Sequence, residues 1–218
     1  MIQKTKNRIE AIIFDMDGVI INSEQIWKKA EKEIFSSVGV KLSEELCKIT
    51  ETLTTTEVTE FWFNRYPWKG KTLKEVENGV VERVTFLIEK EGTAISGIGE
   101  FIKKLKCKGY KIGLATNSPS ALIPVVLNKL KLHQYFDATS SAEHEIEGKP
   151  SPYVYLTVAE KLNVKPENCV AIEDSSSGLL AAKKAGMKTV LIHKNDVDNK
   201  IANYRISHYN QFDFSILS

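Results

Sequence analysis

The stretch Ile9-Glu10-Ala11-Ile12-Ile13-Phe14-Asp15-Met16-Asp17-Gly18 decides the fold of this 218-residue chain. An apolar run that ends abruptly in polar residues is typical of a strand buried on both faces of a sheet. Gly18 permits a sharp turn directly after the strand, which exposes the acids. We therefore expect a first strand whose carboxyl end presents Asp15 and Asp17 together.

Three further apolar runs end in the same way, and helical patterns alternate with them. These runs stop before Thr116, Glu173 and His193, and the helical pattern of residues 179–185 stops at Gly186, a plausible helix terminator. Strands that alternate with helices predict an α/β fold with a doubly wound parallel sheet.

Residues 23–93 differ from the rest of the chain. They show helical periodicity without a convincing buried strand, and they include the aromatic segment 61–68. We interpret them as a small helical cap domain inserted after the first strand, and residues 1–22 and 94–218 as a Rossmann-like catalytic core. An insertion at the carboxyl end of a strand lies where α/β sheets bind ligands, so this one can act as a lid.

Composition excludes several classes of function. A net charge of +2 with mixed signs gives no basic patch for a nucleic-acid polymer. Cys47, Cys107 and Cys169 are odd in number and far apart, which argues against a disulfide framework or a zinc site. The basic start, residues 1–10, precedes no long apolar segment, so we expect no signal peptide and no membrane span. We expect a cytoplasmic monomer.

Two acidic pairs carry the strongest indication of chemistry. Asp15 and Asp17 follow one predicted strand, and Glu173 and Asp174 end another. A bare pair of aspartates is more often a solvated loop, but carboxyl ends of parallel strands meet at one sheet edge, which favours a shared site. Converging carboxylates become tolerable around a divalent cation, and Mg²⁺ prefers oxygen ligands. A metal-bound carboxylate can be a nucleophile, and a second carboxyl can act as acid and then base.

Two other motifs are ambiguous when taken alone. Thr116-Asn117-Ser118 fits an anion cradle at a helix start and a plain helix N-cap equally well. Lys149, in a Gly-Lys-Pro-Ser-Pro loop, is a solvated surface charge unless the fold brings it to the acids. There it would offset negative charge on phosphoryl oxygens.

In this order, the four motifs resemble those of the haloacid dehalogenase-like phosphotransferase superfamily, in the branch of β-phosphoglucomutase and the sugar-phosphate phosphatases. The resemblance extends from residue 9 to about residue 215 and includes the position of the helical insertion. Residues 58–76, Ser23-Glu24 and residues 141–143 look closest to bacterial 2-deoxyglucose-6-phosphate and hexitol phosphatases. Asn22 departs from the pattern, since many relatives carry Asp there.

The resemblance implies a Mg²⁺-dependent phosphatase that acts through an aspartyl-phosphate intermediate. By that resemblance, Asp15 attacks phosphorus, while Asp17 protonates the leaving alkoxide and then activates water. Thr116 and the amide of Asn117 hold phosphoryl oxygens, and Lys149 neutralises charge on the nucleophile and the phosphate. Phosphoryl transfer depends above all on such positioning and charge compensation.

The same resemblance implies the metal ligands and the kind of substrate. Mg²⁺ would be bound by the carboxylates of Asp15 and Asp174 and the backbone carbonyl of Asp17, with Glu173 in or next to that shell. The substrate would be a small sugar or polyol phosphate monoester selected by the cap. Candidate substrate contacts in the cap are Glu24, Trp27, Trp62, Arg65 and Trp68. The tryptophans fit packing roles as well, and Arg65 fits a pair with a cap carboxylate.

Three alternatives stay open. A β-phosphoglucomutase-type mutase would share every core residue, but the comparable cap loop, residues 49–56, lacks the arginine that those mutases tend to carry. A receiver-like signalling module also combines acids, Thr or Ser, and Lys, yet it is shorter and has no helical insertion. The third alternative is a non-catalytic relative that only binds a phosphorylated ligand. The presence of the full set of catalytic acids argues against it.

Overall fold

A computed structural model describes residues 8–51, 53–192 and 201–217. Residues 1–7 lie outside the described residues, so the expectation about a signal peptide is not tested there. In the described ranges, every helix is too short or too polar to cross a membrane.

The described strands form one parallel sheet with the order β3-β2-β1-β4-β5-β6. The strands are β1 (Ala11–Phe14), β2 (Lys111–Thr116), β3 (Ala138–Ser141), β4 (Cys169–Glu173), β5 (Lys188–Ile192) and β6 (Tyr204–Ile206). Phe14 of β1 is paired with Leu114 of β2 on one side and Ile172 of β4 on the other. One residue further on, Asp15 and Glu173 therefore lie level at the carboxyl edge.

Helices cover both faces of this sheet, which confirms the doubly wound parallel fold. The helices of the described residues are α1 (Glu24–Ser37), α2 (Glu44–Thr50), α3 (Thr55–Arg65), α4 (Leu73–Glu91), α5 (Ile98–Cys107), α6 (Leu122–Lys129), α7 (Tyr153–Lys161) and α8 (Ser176–Lys184). Of these, α5, α7 and α8 contact the strands directly. Ile12 and Phe14 belong to the apolar cluster of α5 and α6, whereas Ala11 and Ile13 belong to that of α7 and α8. Alternate residues of β1 thus face opposite layers, as a strand buried on both faces requires.

The helices α1–α4 occupy residues 23–93, the range predicted as a cap. Thr54 with Glu57 and Thr72 with Glu75 form capping boxes that start α3 and α4. Arg83 of α4 makes a two-bond ion pair with Glu33 of α1. The described part of this range contains no strand. The division into two domains at these boundaries stays a prediction.

The chain enters and leaves the α1–α4 region through two adjacent segments, residues 20–22 and 93–95, which we call the connecting ribbon. Ile21 and Ala94 form an antiparallel bridge. The N–H of Asn22 donates to the carbonyl of Thr93 at 3.0 Å, and the N–H of Ile95 donates to that of Ile20 at 2.9 Å. The ribbon lies a few residues beyond Asp17, so the helical region begins next to the acids.

Candidate active site

Asp15 lies at the carboxyl end of β1 and is almost fully buried, with 8% of its surface exposed. Gly18 has a φ of +72°, a conformation that glycine adopts without strain, and this turns the chain back at the sheet edge. A Cβ at Gly18 would collide with the carboxylate of Asp174. The absence of a side chain at Gly18 therefore brings the acids from β1 and β4 together.

Lys149 reaches the same edge from the loop before α7. Its Nζ donates to Asp15 Oδ1 at 2.5 Å, to Glu173 Oε1 at 2.6 Å and to the carbonyl of Ala115 at 2.9 Å. Burial lowers the pKa of Lys149, but the charges of Asp15 and Glu173 outweigh it and raise that pKa above its ordinary value. Lys149 is therefore an ammonium ion held between two carboxylates and is not a surface charge.

Glu173 is fully buried beneath this group and uses both carboxylate oxygens. Besides Lys149, Oε1 accepts a hydrogen bond from the hydroxyl of Tyr155 at 2.6 Å, and Oε2 accepts one from Ser175 at 3.1 Å. A Cβ at Gly178 of α8 would collide with this carboxylate. Glu173 therefore holds Lys149 in place, beneath a helix start that leaves room for it.

Tyr155 is a site residue that sequence reasoning missed. Its pKa is raised by burial and by the nearby negative charge of Glu173. In the sequence it is one more large residue on the buried face of α7, and nothing in the local pattern distinguishes it from a packing residue.

The acids carry more negative charge than Lys149 can offset. Burial raises the pKa of Asp15 most, Lys149 opposes that rise, and Glu173, Asp174 and Asp17 add to it. Asp15, Glu173 and Asp174 can each place one oxygen so that all three lie within 4.8 Å of one another. Hard oxygen donors with surplus negative charge fit a divalent cation such as Mg²⁺.

Asp17 is oriented by three described side chains. Oδ1 accepts hydrogen bonds from the hydroxyl of Ser23 at 2.5 Å and from Trp27 Nε1 at 2.9 Å, and Oδ2 accepts one from the hydroxyl of Ser118 at 2.6 Å. Ser23 is the N-cap residue of α1, yet its side chain makes no cap hydrogen bond. The hydroxyl of Ser23 therefore binds Asp17 instead of capping the helix, which is the usual role of serine at this position.

The Thr116-Asn117-Ser118 segment forms a turn beside Lys149. Thr116 Oγ1 accepts a hydrogen bond from the N–H of Ser118 at 3.0 Å. Asn117 Oδ1 accepts one from the N–H of Lys149 at 2.8 Å, so the Asn117 side chain holds the lysine loop. Ser141 braces the turn by donating to the carbonyl of Ser118 at 2.6 Å. The helix that follows, α6, has Ala121 as its N-cap residue and no side-chain cap, so the interpretation of this motif as a helix N-cap is wrong. Its role as an anion cradle stays a prediction.

A cavity of about 550 Å³ lies between the sheet edge and the α1–α3 region. Its core side is formed by Asp15, Asp17, Asp174, Lys149 and the Thr116-Asn117-Ser118 turn, and its cap side by residues that include Glu24 and Trp27. The structure therefore brings together the core residues proposed from the sequence and two of the five proposed cap residues.

The other three proposed cap contacts do not line the cavity. Trp62 is fully buried against Phe35, and Trp68 is 7% exposed and also packs near Phe35. Arg65 is exposed at the end of α3. The prediction of substrate contacts at these positions is corrected: the apolar interior of the helical region takes up the indoles, and Arg65 points away from that interior.

Comparisons with known proteins show what this chain is similar to. The family model for haloacid dehalogenase-like hydrolases matches residues 12–192. Hexitol phosphatase B of Escherichia coli O157:H7 is 37% identical over 93% of this chain and 94% of its own length. The phosphorylated carbohydrates phosphatase of Thermotoga maritima is 33% identical over 84% of each chain. The crystal structure of β-phosphoglucomutase from Clostridium difficile has a TM-score of 0.83 and 27% identity over 96% of this chain and 95% of that one.

Proposed function

This chain belongs to the haloacid dehalogenase-like hydrolase family, and on that premise we propose that it is a Mg²⁺-dependent phosphatase for a small sugar or polyol phosphate monoester. The observation that carries the proposal is the buried bridge from Asp15 through Lys149 to Glu173, with Asp174 beside it. Such a group suits a carboxylate that must meet an anionic phosphate, because charge compensation is already in place.

Asp15 is proposed as the nucleophile. One oxygen is held by Lys149, and the other forms a bond to phosphorus as the bond between phosphorus and the ester oxygen breaks. Asp17 gives a proton to the departing alkoxide. Asp17 then takes a proton from water, which attacks phosphorus, breaks the bond to Asp15 and releases inorganic phosphate. Ser23, Trp27 and Ser118 fix where the Asp17 oxygens lie during both steps.

The phosphate group would be held by the Thr116 hydroxyl, the Asn117 amide N–H and Lys149. The carboxylates of Asp15 and Asp174 and the backbone carbonyl of Asp17 would hold Mg²⁺, which supplies positive charge against the phosphoryl oxygens. Both oxygens of Glu173 are engaged by other side chains. We therefore assign Glu173 to positioning Lys149.

A mutase of the β-phosphoglucomutase type is the second candidate, supported by the structural neighbour. To move a phosphate within a sugar through an aspartyl-phosphate, the cavity has to accommodate a second phosphate. Among the described residues, the cap side of this cavity carries Glu24, Glu31 and Glu51 and a single lysine, Lys28. This charge balance favours hydrolysis. A cytoplasmic, monomeric protein remains our expectation.

The test is release of phosphate by the purified protein. With Mg²⁺, we expect hydrolysis of p-nitrophenyl phosphate and of hexitol phosphates, loss of activity with EDTA, and recovery when Mg²⁺ is restored. Asp15→Asn should lower kcat by about 1000-fold or more, because no other group replaces a lost nucleophile. Asp213→Asn, at an exposed position, is the matched control.

Retained activity in Asp15→Asn would refute the nucleophile, and insensitivity to EDTA would refute the metal. Conversion of a hexose 1-phosphate to the 6-phosphate, instead of release of free phosphate, would establish the mutase.

A further inference from the structure

One face of α1 forms much of the cap side of the cavity. Glu24, Trp27, Lys28 and Glu31 all line it, and their spacing of three and four residues places them on one side of the helix. Trp27 contacts Asp17. Glu31 lies one turn further on, about 6 Å along the helix axis. This face therefore extends from the general acid toward the part of the cavity that lies away from the phosphate.

The charged side chains on this face of α1 differ in whether they have a partner of opposite charge. Lys28 Nζ lies 2.7 Å from Glu24 Oε1 and 3.8 Å from Glu51 Oε1, so the lysine is taken up by those two carboxylates. Glu31 has neither a hydrogen bond nor an ion pair with any residue of the described ranges. Burial and then the charge of Glu51 raise its pKa from 4.5 to about 7.

A carboxyl group withdrawn from water without a partner lowers the stability of the folded protein. Groups of this kind occur where a ligand supplies the missing partner, and an unsatisfied polar group in a cleft is a candidate for binding. The Glu31 carboxyl can accept hydrogen bonds from hydroxyl groups. Together with Glu51, it also places negative charge where the far end of a substrate would lie.

We propose that Glu31 binds a hydroxyl group of the substrate at the end remote from the phosphate and, with Glu51, excludes substrates that carry a second anionic group there. The inference rests on the proposed phosphatase function. It narrows the substrate class to polyhydroxylated monophosphates with an uncharged far end. Sugar acid phosphates and bisphosphates would be rejected by charge repulsion, which is strong in a partly desolvated cleft.

The experiment compares two substrates that differ only at that end. A hexitol 6-phosphate ends in CH₂OH at carbon 1, whereas 6-phosphogluconate ends in a carboxylate there. The quantity measured is the ratio of kcat/KM for the two, so a general loss of activity cancels. At pH 8, where the Glu31 carboxyl is ionised, the wild-type protein is expected to favour the hexitol phosphate by at least about 10-fold, because the carboxylate accepts a hydrogen bond from a hydroxyl group and repels a second anion.

Glu31→Gln keeps the shape and removes the charge, and we expect it to lower this ratio about 10-fold. Glu31→Leu should lower it as well, while the Tm stays equal to or rises above that of the wild type, because the unsatisfied carboxyl is gone. Glu60→Gln removes a carboxylate from the exposed face of α3, away from the cavity. This control should leave the ratio unchanged.

A ratio that stays within about twofold of wild type in both Glu31 variants, with p-nitrophenyl phosphate still hydrolysed, would overturn this inference alone. A fall in Tm with an unchanged ratio would assign Glu31 to cap stability and overturn it too. If the wild-type protein hydrolyses no phosphoester, the proposed function and this inference both fail.

Discussion

Replacing Lys149 by Met tests whether the buried bridge holds the sheet edge together. The change keeps the length of the side chain and removes its charge. It leaves Asp15 and Glu173 facing each other without the ammonium group that lies 2.5 Å from one and 2.6 Å from the other. Both carboxylates stay buried, because the sheet and α8 surround them. We expect loss of activity together with a large loss of stability.

The magnitude follows from burial. The side chain of Lys149 is 4% exposed, that of Asp15 is 11% exposed and that of Glu173 is fully buried. Removing one partner of a buried ion pair costs about 3–5 kcal/mol, since the remaining charge is left uncompensated. In a protein of this size, 1 kcal/mol lowers the Tm by about 2–4 °C. The Tm of Lys149→Met is therefore expected to fall by roughly 10 °C.

Urea unfolding in EDTA measures this cost, because chelation prevents a cation from taking the place of the lysine. Lys103→Met removes an exposed lysine of α5 and should leave the free energy of unfolding within about 0.5 kcal/mol of wild type. Adding Asp15→Asn to Lys149→Met should restore at least about 1 kcal/mol, because one of the stranded charges is neutralised.

Two results would refute the reasoning. The first is a Lys149→Met protein within about 1 kcal/mol of wild type at an equal m value. The second is additivity of the two substitutions, which would mean that Lys149 and Asp15 do not interact. Either would show that the bridge contributes little to the folded state.

The remaining predictions concern Trp27 and Glu31. Trp27→Phe removes one donor to Asp17 and should lower kcat/KM for p-nitrophenyl phosphate about 10-fold, because the acid is less well oriented. Trp68→Phe is the control, because the indole N–H of Trp68 is buried without a partner in the described residues. An equal fall in kcat/KM in both variants would contradict the role of Trp27. The pKa of Glu31 is higher in the folded protein than in the unfolded chain, so protonation of Glu31 stabilises the fold. This stabilisation is fully present below pH 4.5 and is lost as the pH rises through about 7. Between pH 5 and pH 8, the free energy of unfolding of wild type, measured in urea, should therefore fall by about 2 kcal/mol relative to that of Glu31→Gln, a value discounted for partial exposure of Glu31. If the two proteins show parallel pH profiles of stability, this prediction is wrong.

Strand ends were the most predictable part of this site. The apolar runs before Asp15, Thr116 and Glu173 are local patterns, and parallel strands bring their carboxyl ends to one edge whatever the loops do. The approach of Lys149 depends on a loop and on the side chain of Asn117, so it followed from the family resemblance and not from the spacing of residues.

The helical region was less predictable because its residues face two ways. Trp27 and Trp62 are the same residue type in neighbouring helices, but one donates to Asp17 and the other fills the apolar interior. The packing of the helices determines which environment each tryptophan occupies, and this packing cannot be read from the amino-acid composition. Glu31 was overlooked for a similar reason, since a glutamate on an amphipathic helix ordinarily faces water.

The connecting ribbon has a mechanical consequence. Two hydrogen-bonded segments side by side resist being pulled apart or slid along each other, because either movement breaks their bonds, whereas twisting about their long axis keeps them. As far as the ribbon is concerned, a twist is therefore the movement of the attached helices that it resists least. Ser23 lies next to the ribbon and Ser37 lies at the other end of α1, about 20 Å away, so a given twist displaces Ser37 more than Ser23. The grip on Asp17 can therefore persist while the outer rim of the cavity opens for exchange with solvent.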